Sequence, residues 1–159
     1  MATEESKKER LLGVFNLLMY GLIKGLWDLF GESSFATVTA IGDQVLGMLE
    51  KESGLEIHGE NPKDIITEIS RLLVDEVGAI GAAQVTMKGD KVSIACTRCF
   101  LRHATVNLEA AGVQPFACVP MTLSAAAMRK RLGTKHRVLG RTWDPATETC
   151  TIHFQLVSR

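Results

Sequence analysis

The sequence has 159 residues, of which 46% are hydrophobic and 23% are charged, and its 18 basic side chains balance its 18 acidic ones. This length suffices for one globular domain with a hydrophobic core. The zero net charge argues against direct binding to nucleic acid or to an anionic membrane surface. The mixed charges of the first ten residues do not resemble a targeting peptide, so we expect a cytoplasmic protein whose four cysteines are reduced thiols or metal ligands.

The segment from Leu11 to Phe30 is the most apolar stretch and is long enough to span a bilayer. Asn16, Lys24 and Asp28 argue against a membrane span, because a charged side chain near the bilayer centre costs about 2.5–3.5 kcal/mol. Its apolar residues recur at helical spacing in two rows, Leu11, Phe15, Leu18, Leu22, Leu26 and Phe30 in the first and Leu12, Met19 and Ile23 in the second. This surface predicts a helix that closes the core or forms a dimer interface.

Two more helices are predicted in the first half of the chain. Ser33 or Ser34 is expected to cap a helix that continues to Glu52. Asn61 followed by Pro62 is typical of a helix start, and Gly78 is expected to end that helix.

From Ala83 onwards the apolar residues alternate with a period of two, which is typical of strands. A turn at residues 88–90 predicts a hairpin whose second strand directs Val92, Ile94 and Cys96 to one face. Residues 97–116 are expected to be irregular, with a helical part near residues 107–111.

An alanine-rich helix is predicted to follow Cys118 and Pro120 and to end at Gly133. The chain then alternates again as a closing hairpin with a turn at residues 144–147. The last strand places four side chains on one face, namely Cys150, Ile152, Phe154 and Leu156.

The cysteines carry the clearest chemical signal. Cys96 and Cys99 form a C-x2-C pair, which is a spacing that soft metal ions prefer, although one such pair also occurs as buried apolar thiols. Cys118 is predicted to favour its thiolate form, because it lies at the positive end of a helix. Cys150 is the fourth thiol and lies at the turn end of the last strand.

The run from Cys118 to Phe154 resembles the C-terminal half of the 4-vinyl reductase domain family. The shared pattern is a cysteine, an alanine-rich helix, a glycine, a strand, and a final cysteine followed by an aromatic residue, here Cys118, Gly133, Cys150 and Phe154. The similarity extends over residues 35–156. This family is described as hydrocarbon-binding or small-molecule-binding, and it includes sensor domains of phenol-responsive transcription activators.

The resemblance implies an α+β fold, with an antiparallel sheet packed on N-terminal helices, related to TRAPP-type vesicle-tethering subunits and commonly dimeric. It divides the chain into an N-terminal packing or dimerisation helix, residues 1–34, and a 4-vinyl reductase-like domain, residues 35–157.

The resemblance also implies a possible zinc site. In phenol-sensing members, zinc is held by the cysteine before the helix, the last-strand cysteine, and a glutamate and a cysteine from the intervening hairpin. Here the hairpin positions are Leu139 and Thr142, so a retained structural zinc would be held by Cys96, Cys99, Cys118 and Cys150.

The leading hypothesis is a cytoplasmic homodimeric sensor module that binds a small hydrophobic molecule. Candidate ligand-binding residues are mostly aromatic, namely Trp27, Phe30, Phe35, Phe100, His103 and Phe116. One alternative is an enzyme or accessory subunit in vinyl-group reduction of tetrapyrroles, although the sequence has no dinucleotide-binding motif and no iron–sulfur cysteine run. A ligand-free dimeric interaction scaffold is the other alternative.

Overall fold

A computed structural model describes residues 3–114 and 116–157. Within this part of the chain the elements follow in the order α1 (Glu4–Phe30), α2 (Thr37–Ser53), α3 (Pro62–Arg71), β1 (Ala82–Lys88), β2 (Lys91–Thr97), α4 (Arg102–Ala110), α5 (Val119–Leu132), β3 (Lys135–Asp144) and β4 (Thr149–Val157). A 3-10 segment, Gly31–Ala36, joins α1 to α2, and a π-helical turn, Leu72–Glu76, extends α3. Met1, Ala2 and Pro115, which belong to the two predicted units of the chain, lie outside the described residues.

The four strands form one antiparallel sheet in the order β1-β2-β4-β3. Alternation directs every second side chain of β2 and β4 to one face, and the buried ones include Val92 and Ile94 of β2 and Ile152 and Phe154 of β4. Both predicted hairpins and the predicted α+β class are therefore confirmed.

The alanine-rich helix α5 is the centre of the helical layer. Every residue from Pro120 to Met128 is buried, and the helix packs against α2, α3 and β3. Its small side chains allow close approach of α2, because a Cβ atom added to Gly42 would lie 2.7 Å from the carbonyl oxygen of Thr122. The helix therefore contributes little to the surface.

The predicted start of α3 is confirmed, since Asn61 is the N-cap and its Oδ1 atom accepts a hydrogen bond of 3.0 Å from the amide of Asp64. The predicted serine cap of α2 is wrong. The Ser34 hydroxyl instead donates to the carbonyl oxygen of Leu26, because the chain first makes a 3-10 turn and α2 begins only at Thr37.

The segment expected to be irregular contains a helix, α4, which begins earlier than predicted because Asn16 of α1 holds its first turn. The Nδ2 atom of Asn16 donates to the carbonyl oxygen of Phe100 at 2.8 Å, and its Oδ1 atom accepts from the amide of Ala104 at 3.0 Å. The Asn16 side chain is buried, with 3% exposure. Helix α1 therefore meets the domain through a specific polar contact.

Most of the first apolar row of α1 faces outwards in the single chain. Leu11, Leu18 and Leu22 are each more than half exposed, whereas Asn16 and Ile23 are the buried residues of the described helix. An apolar window within Glu4–Ser53 is long enough to cross a membrane by length and composition, a property that core helices and signal sequences share. The core of the single chain thus does not account for this row.

Candidate functional site

An apolar cavity of about 40 Å³ lies between the buried face of the sheet, α4 and the start of α5. Its wall includes aliphatic and aromatic side chains such as Ile23, Leu108, Phe116 and Ile152. All four cysteines line the same cavity, namely Cys96, Cys99, Cys118 and Cys150. A space of this size accommodates a few water-sized groups.

Three elements bring the four thiols together. Cys96 and Cys150 are directly opposite each other on the paired strands β2 and β4. Cys99 follows β2 by two residues, and Cys118 is the N-cap residue of α5. The sequence predicted the strand positions and the helix start separately, and the fold places them around one space.

Burial governs the chemistry of these thiols. It raises the pKa of Cys96 to about 12 and that of Cys150 to about 11, and it raises the pKa values of Cys99 and Cys118 as well. The predicted thiolate preference of Cys118 is therefore wrong. Desolvation of the sulfur outweighs the hydrogen bond from the Met121 amide, which acts in the opposite direction.

The donor set is chemically suited to zinc, since four thiols are the ligands of many structural zinc sites. In residues 3–114 and 116–157, however, no group of three or more His, Cys, Asp or Glu side chains is arranged to hold a metal ion. All four cysteines are free thiols. The thiols thus surround the cavity without forming a coordination sphere.

Three of the six predicted ligand-binding residues form an aromatic cluster beside the cavity. The Trp27 ring stacks on Phe116 at 6.3 Å, and Phe35 meets both rings edge-on at 6.3 Å. Within this cluster only Phe116 lines the cavity itself. Phe100 stacks instead on Phe15 at 6.0 Å.

The other two candidates are on the surface. Phe30 is 55% exposed at the end of α1. His103 is exposed on α4 and does not line the cavity. The fold therefore brings together one half of the predicted set and separates the rest.

Several residues of the cavity wall were not predicted from the sequence, and Arg141 and Trp143 are the two that the regular strand pattern places on the wrong face. Strict alternation from Val138, which points inwards opposite Phe154, would direct both of them outwards. A bulge between Val138 and Gly140 shifts the register by one residue, so Arg141 lies opposite Ile152 on the inner face. A glycine within a strand was the available signal, because it often marks a bulge.

Among the described cationic residues of this wall, Arg141 has the most deeply buried side chain, which is 6% exposed. Its Nη2 atom donates to Oε2 of Glu109 at 3.0 Å and to the carbonyl oxygen of Thr105 at 3.4 Å. Its Nε atom is buried and has no hydrogen-bond partner among the described residues. The guanidinium also opposes the rise in the pKa of Cys150.

Comparison with known proteins identifies the family. The model of the family described as "Putative rubredoxin C-terminal domain" matches residues 15–159, and the chain belongs to this family. That description gives the position of a domain and names no ligand or reaction. No curated protein matches the sequence.

Among solved structures, the phenol-responsive sensory domain of the transcription activator PoxR, crystallised with phenol, is similar to this chain with a TM-score of 0.52. The match covers 88% of this chain and 73% of that chain at 13% sequence identity. The two chains therefore share a fold. The shared fold agrees with the α+β fold that the resemblance implies, whereas the matching family model is not that of the 4-vinyl reductase family.

Proposed function

We propose that this protein is a sensor module that binds a small hydrophobic molecule in the cavity between the sheet, α4 and α5. The observation that carries the proposal is an apolar cavity inside a fold shared with a phenol-responsive sensory domain. Small-molecule sites are typically concave and apolar, with few polar groups that orient the ligand. We further propose that the module is cytoplasmic, where its four thiols stay reduced.

Phenol is a suitable probe, and Trp143 in the cavity wall is a natural reporter. We expect phenol to change the tryptophan fluorescence of the protein in a saturable manner. Ala104 lines the cavity and is 2% exposed, so Ala104→Val should fill the space and weaken binding.

The matched control is Ala110→Val, which adds the same two methyl groups to an exposed position of the same helix. This variant should bind phenol as the wild type does. A wild-type protein that gives no saturable signal with phenol or with other small hydrophobic probes would contradict the proposal. Equal binding by the Ala104 and Ala110 variants would place the ligand elsewhere.

The resemblance to the 4-vinyl reductase family suggests a competing role as an enzyme or accessory subunit in vinyl-group reduction of a tetrapyrrole. A cavity of about 40 Å³ would have to widen even for a single ring, because a dry cavity that binds benzene measures about 150 Å³, and it would have to widen far more for a macrocycle. A large macrocycle would therefore need a different site. Reductant-dependent turnover of a vinyl tetrapyrrole would favour this role over the sensor.

We propose, as a second property, that the four cysteines hold a structural zinc ion. Their convergence on one cavity supports this proposal, and a zinc ion bound there would take part of the space proposed for the small molecule. Zinc binding would need movement of the side chains into a tetrahedron and release of the thiol protons, whose loss burial otherwise disfavours.

Elemental analysis of protein purified without chelators tests the proposed metal directly, with one zinc ion per chain expected. A strong chelator should lower the melting temperature of the wild type, and Cys118→Ala should be less stable and insensitive to the chelator. Unchanged melting of metal-free wild type in chelator would contradict the zinc proposal and leave the sensor proposal intact.

We also propose that α1 forms a homodimer. Residues along one side of the helix recur at alternating spacings of four and three, which is the repeat of paired helices, and the five large ones are exposed, namely Leu11, Phe15, Leu18, Leu22 and Leu29, with Gly25 completing the repeat. Large exposed apolar surfaces of this kind are typical of interfaces. The same face on a second copy of the chain carries the same repeat, so two copies can pair without another protein.

Light scattering after size-exclusion chromatography measures the mass in solution. We expect a dimer for the wild type and a monomer for Leu18→Glu. Leu139→Glu, which changes a 48% exposed leucine on β3, is the control and should remain dimeric. A monomeric wild type, or a dimeric Leu18→Glu variant, would contradict this interface.

A further inference from the structure

We propose that Arg141 recognises an acidic head group, so that the ligand is a small hydrophobic molecule with one carboxylate or phenolate oxygen. This inference rests on the proposed ligand-binding function of the cavity and specifies the chemistry of the ligand. It was not expected from the sequence, because the alternation of β3 directs Arg141 outwards until the bulge reverses the register.

The first observation is the incomplete pairing of the guanidinium. The Arg141 side chain is 6% exposed and lines the cavity, and its buried Nε atom has no hydrogen-bond partner within the described residues. A buried donor without an acceptor is costly, because it has lost its water and gained nothing in exchange. An oxygen that reaches this end of the cavity would remove that cost.

The neighbouring thiol is a poor substitute for such an oxygen. The Arg141 guanidinium is within hydrogen-bonding reach of the Cys150 sulfur. A cysteine sulfur, however, is only a weak hydrogen-bond acceptor. The apolar side chains around it, including Leu108 and Ile152, offer no acceptor at all.

The second observation is the charge balance. Among the described residues, Glu109 is the carboxylate that pairs with Arg141, and its side chain is 46% exposed. Solvent screens that carboxylate, whereas the Arg141 side chain is buried in the wall of an apolar cavity, where charges interact more strongly. The cavity is therefore better suited to an anionic oxygen than to an uncharged group, and arginine is the side chain that best matches a carboxylate.

Benzoate and toluene are matched probes, because they share a ring and differ in the carboxylate. Nuclear magnetic resonance titration of the wild type should give an affinity for benzoate at least about tenfold higher than for toluene. Arg141→Met should remove this preference and still bind toluene. Arg137→Met is the control, since it removes a charge from an exposed position of the same strand, and it should keep the preference.

A second variant keeps the test valid if Arg141→Met does not fold. Glu109→Gln removes the competing carboxylate from a half-exposed position, so it should strengthen binding of benzoate and leave that of toluene unchanged. Equal affinity of the wild type for the two probes, or a benzoate preference that survives Arg141→Met, would overturn the role of Arg141 but not the cavity. Failure of both probes to bind would overturn the proposed function and this inference together.

Discussion

Cys96 and Cys150 lie directly opposite each other on the antiparallel strands β2 and β4. Both side chains point to the buried face of the sheet, with exposures of 2% and 7%. Each thiol therefore faces another thiol and an apolar wall instead of water. This pairing, with Cys99 and Cys118 around the same cavity, explains why all four pKa values are raised.

The raised pKa values predict a loss of stability at high pH. The ordinary pKa of a cysteine thiol is 9.0, and burial raises that of Cys96 to about 12. As the pH rises above 9.0, the unfolded chain releases this proton before the folded one does, so the free energy of unfolding falls. The thiol's contribution is complete below pH 9.0 and is lost as the pH rises towards about 12, at a slope of up to about 1.4 kcal/mol for each pH unit.

Urea unfolding of the wild type and of Cys96→Val between pH 7 and pH 11 measures this effect. Valine is apolar, of similar size, and does not titrate, so the variant should lose less stability above pH 9.0 than the wild type. The other titratable side chains are the same in both proteins, so their effects cancel in the difference. Parallel pH profiles would show that Cys96 titrates normally in the folded protein.

The buried amide of Asn16 should contribute strongly to stability, because it joins α1 to α4. Asn16→Ala would leave the Ala104 amide and the Phe100 carbonyl group without their partners, at an expected cost of about 2–3 kcal/mol. Asn107→Ala is the matched control, since Asn107 is exposed on α4, and it should change stability by less than about 0.5 kcal/mol. Chemical denaturation measures the stability of both variants, and similar losses would contradict a stabilising role of the Asn16 hydrogen bonds.

Two glycines of α2 should respond to alanine with opposite signs. A Cβ atom at Gly42 would lie 2.7 Å from the Thr122 carbonyl oxygen, so Gly42→Ala should destabilise the protein by about 1–3 kcal/mol. A Cβ atom at Gly47 would meet nothing within 4 Å. Gly47→Ala should therefore stabilise the helix by about 0.5–1 kcal/mol. Thermal unfolding measures both, and a neutral Gly42→Ala would show that α2 and α5 are farther apart than described.

Alanine substitutions of two aromatic candidates, Phe116 and Phe30, should differ in their effect on stability. Phe116 is fully buried against Trp27 and Phe35, so Phe116→Ala should cost about 3–5 kcal/mol and shift the emission of Trp27 towards the red. Phe30 is 55% exposed, and Phe30→Ala should stay within about 0.5 kcal/mol of the wild type. A larger loss at Phe30 than at Phe116 would reverse this assignment.

Local chemistry predicted much of the fold. The Asn61–Pro62 start signal, the turn at residues 88–90 and the αL glycine at Gly133 each act within a few residues, so their effects are visible in the sequence. The prediction of a serine cap was wrong because a 3-10 turn, which has no strong sequence signature, moves the start of α2 to Thr37.

The sequence by itself determined the two hairpins, the starts of α3 and α5 and the inward direction of Cys96 and Cys150, because periodicity, caps and turn residues act locally. Only the tertiary structure decided which of these elements meet. It set the pKa of Cys118 through burial, left the apolar row of α1 on the surface, and turned Arg141 into the cavity through a one-residue bulge beside Gly140. Burial and strand register depend on distant parts of the chain, so no local pattern contains them.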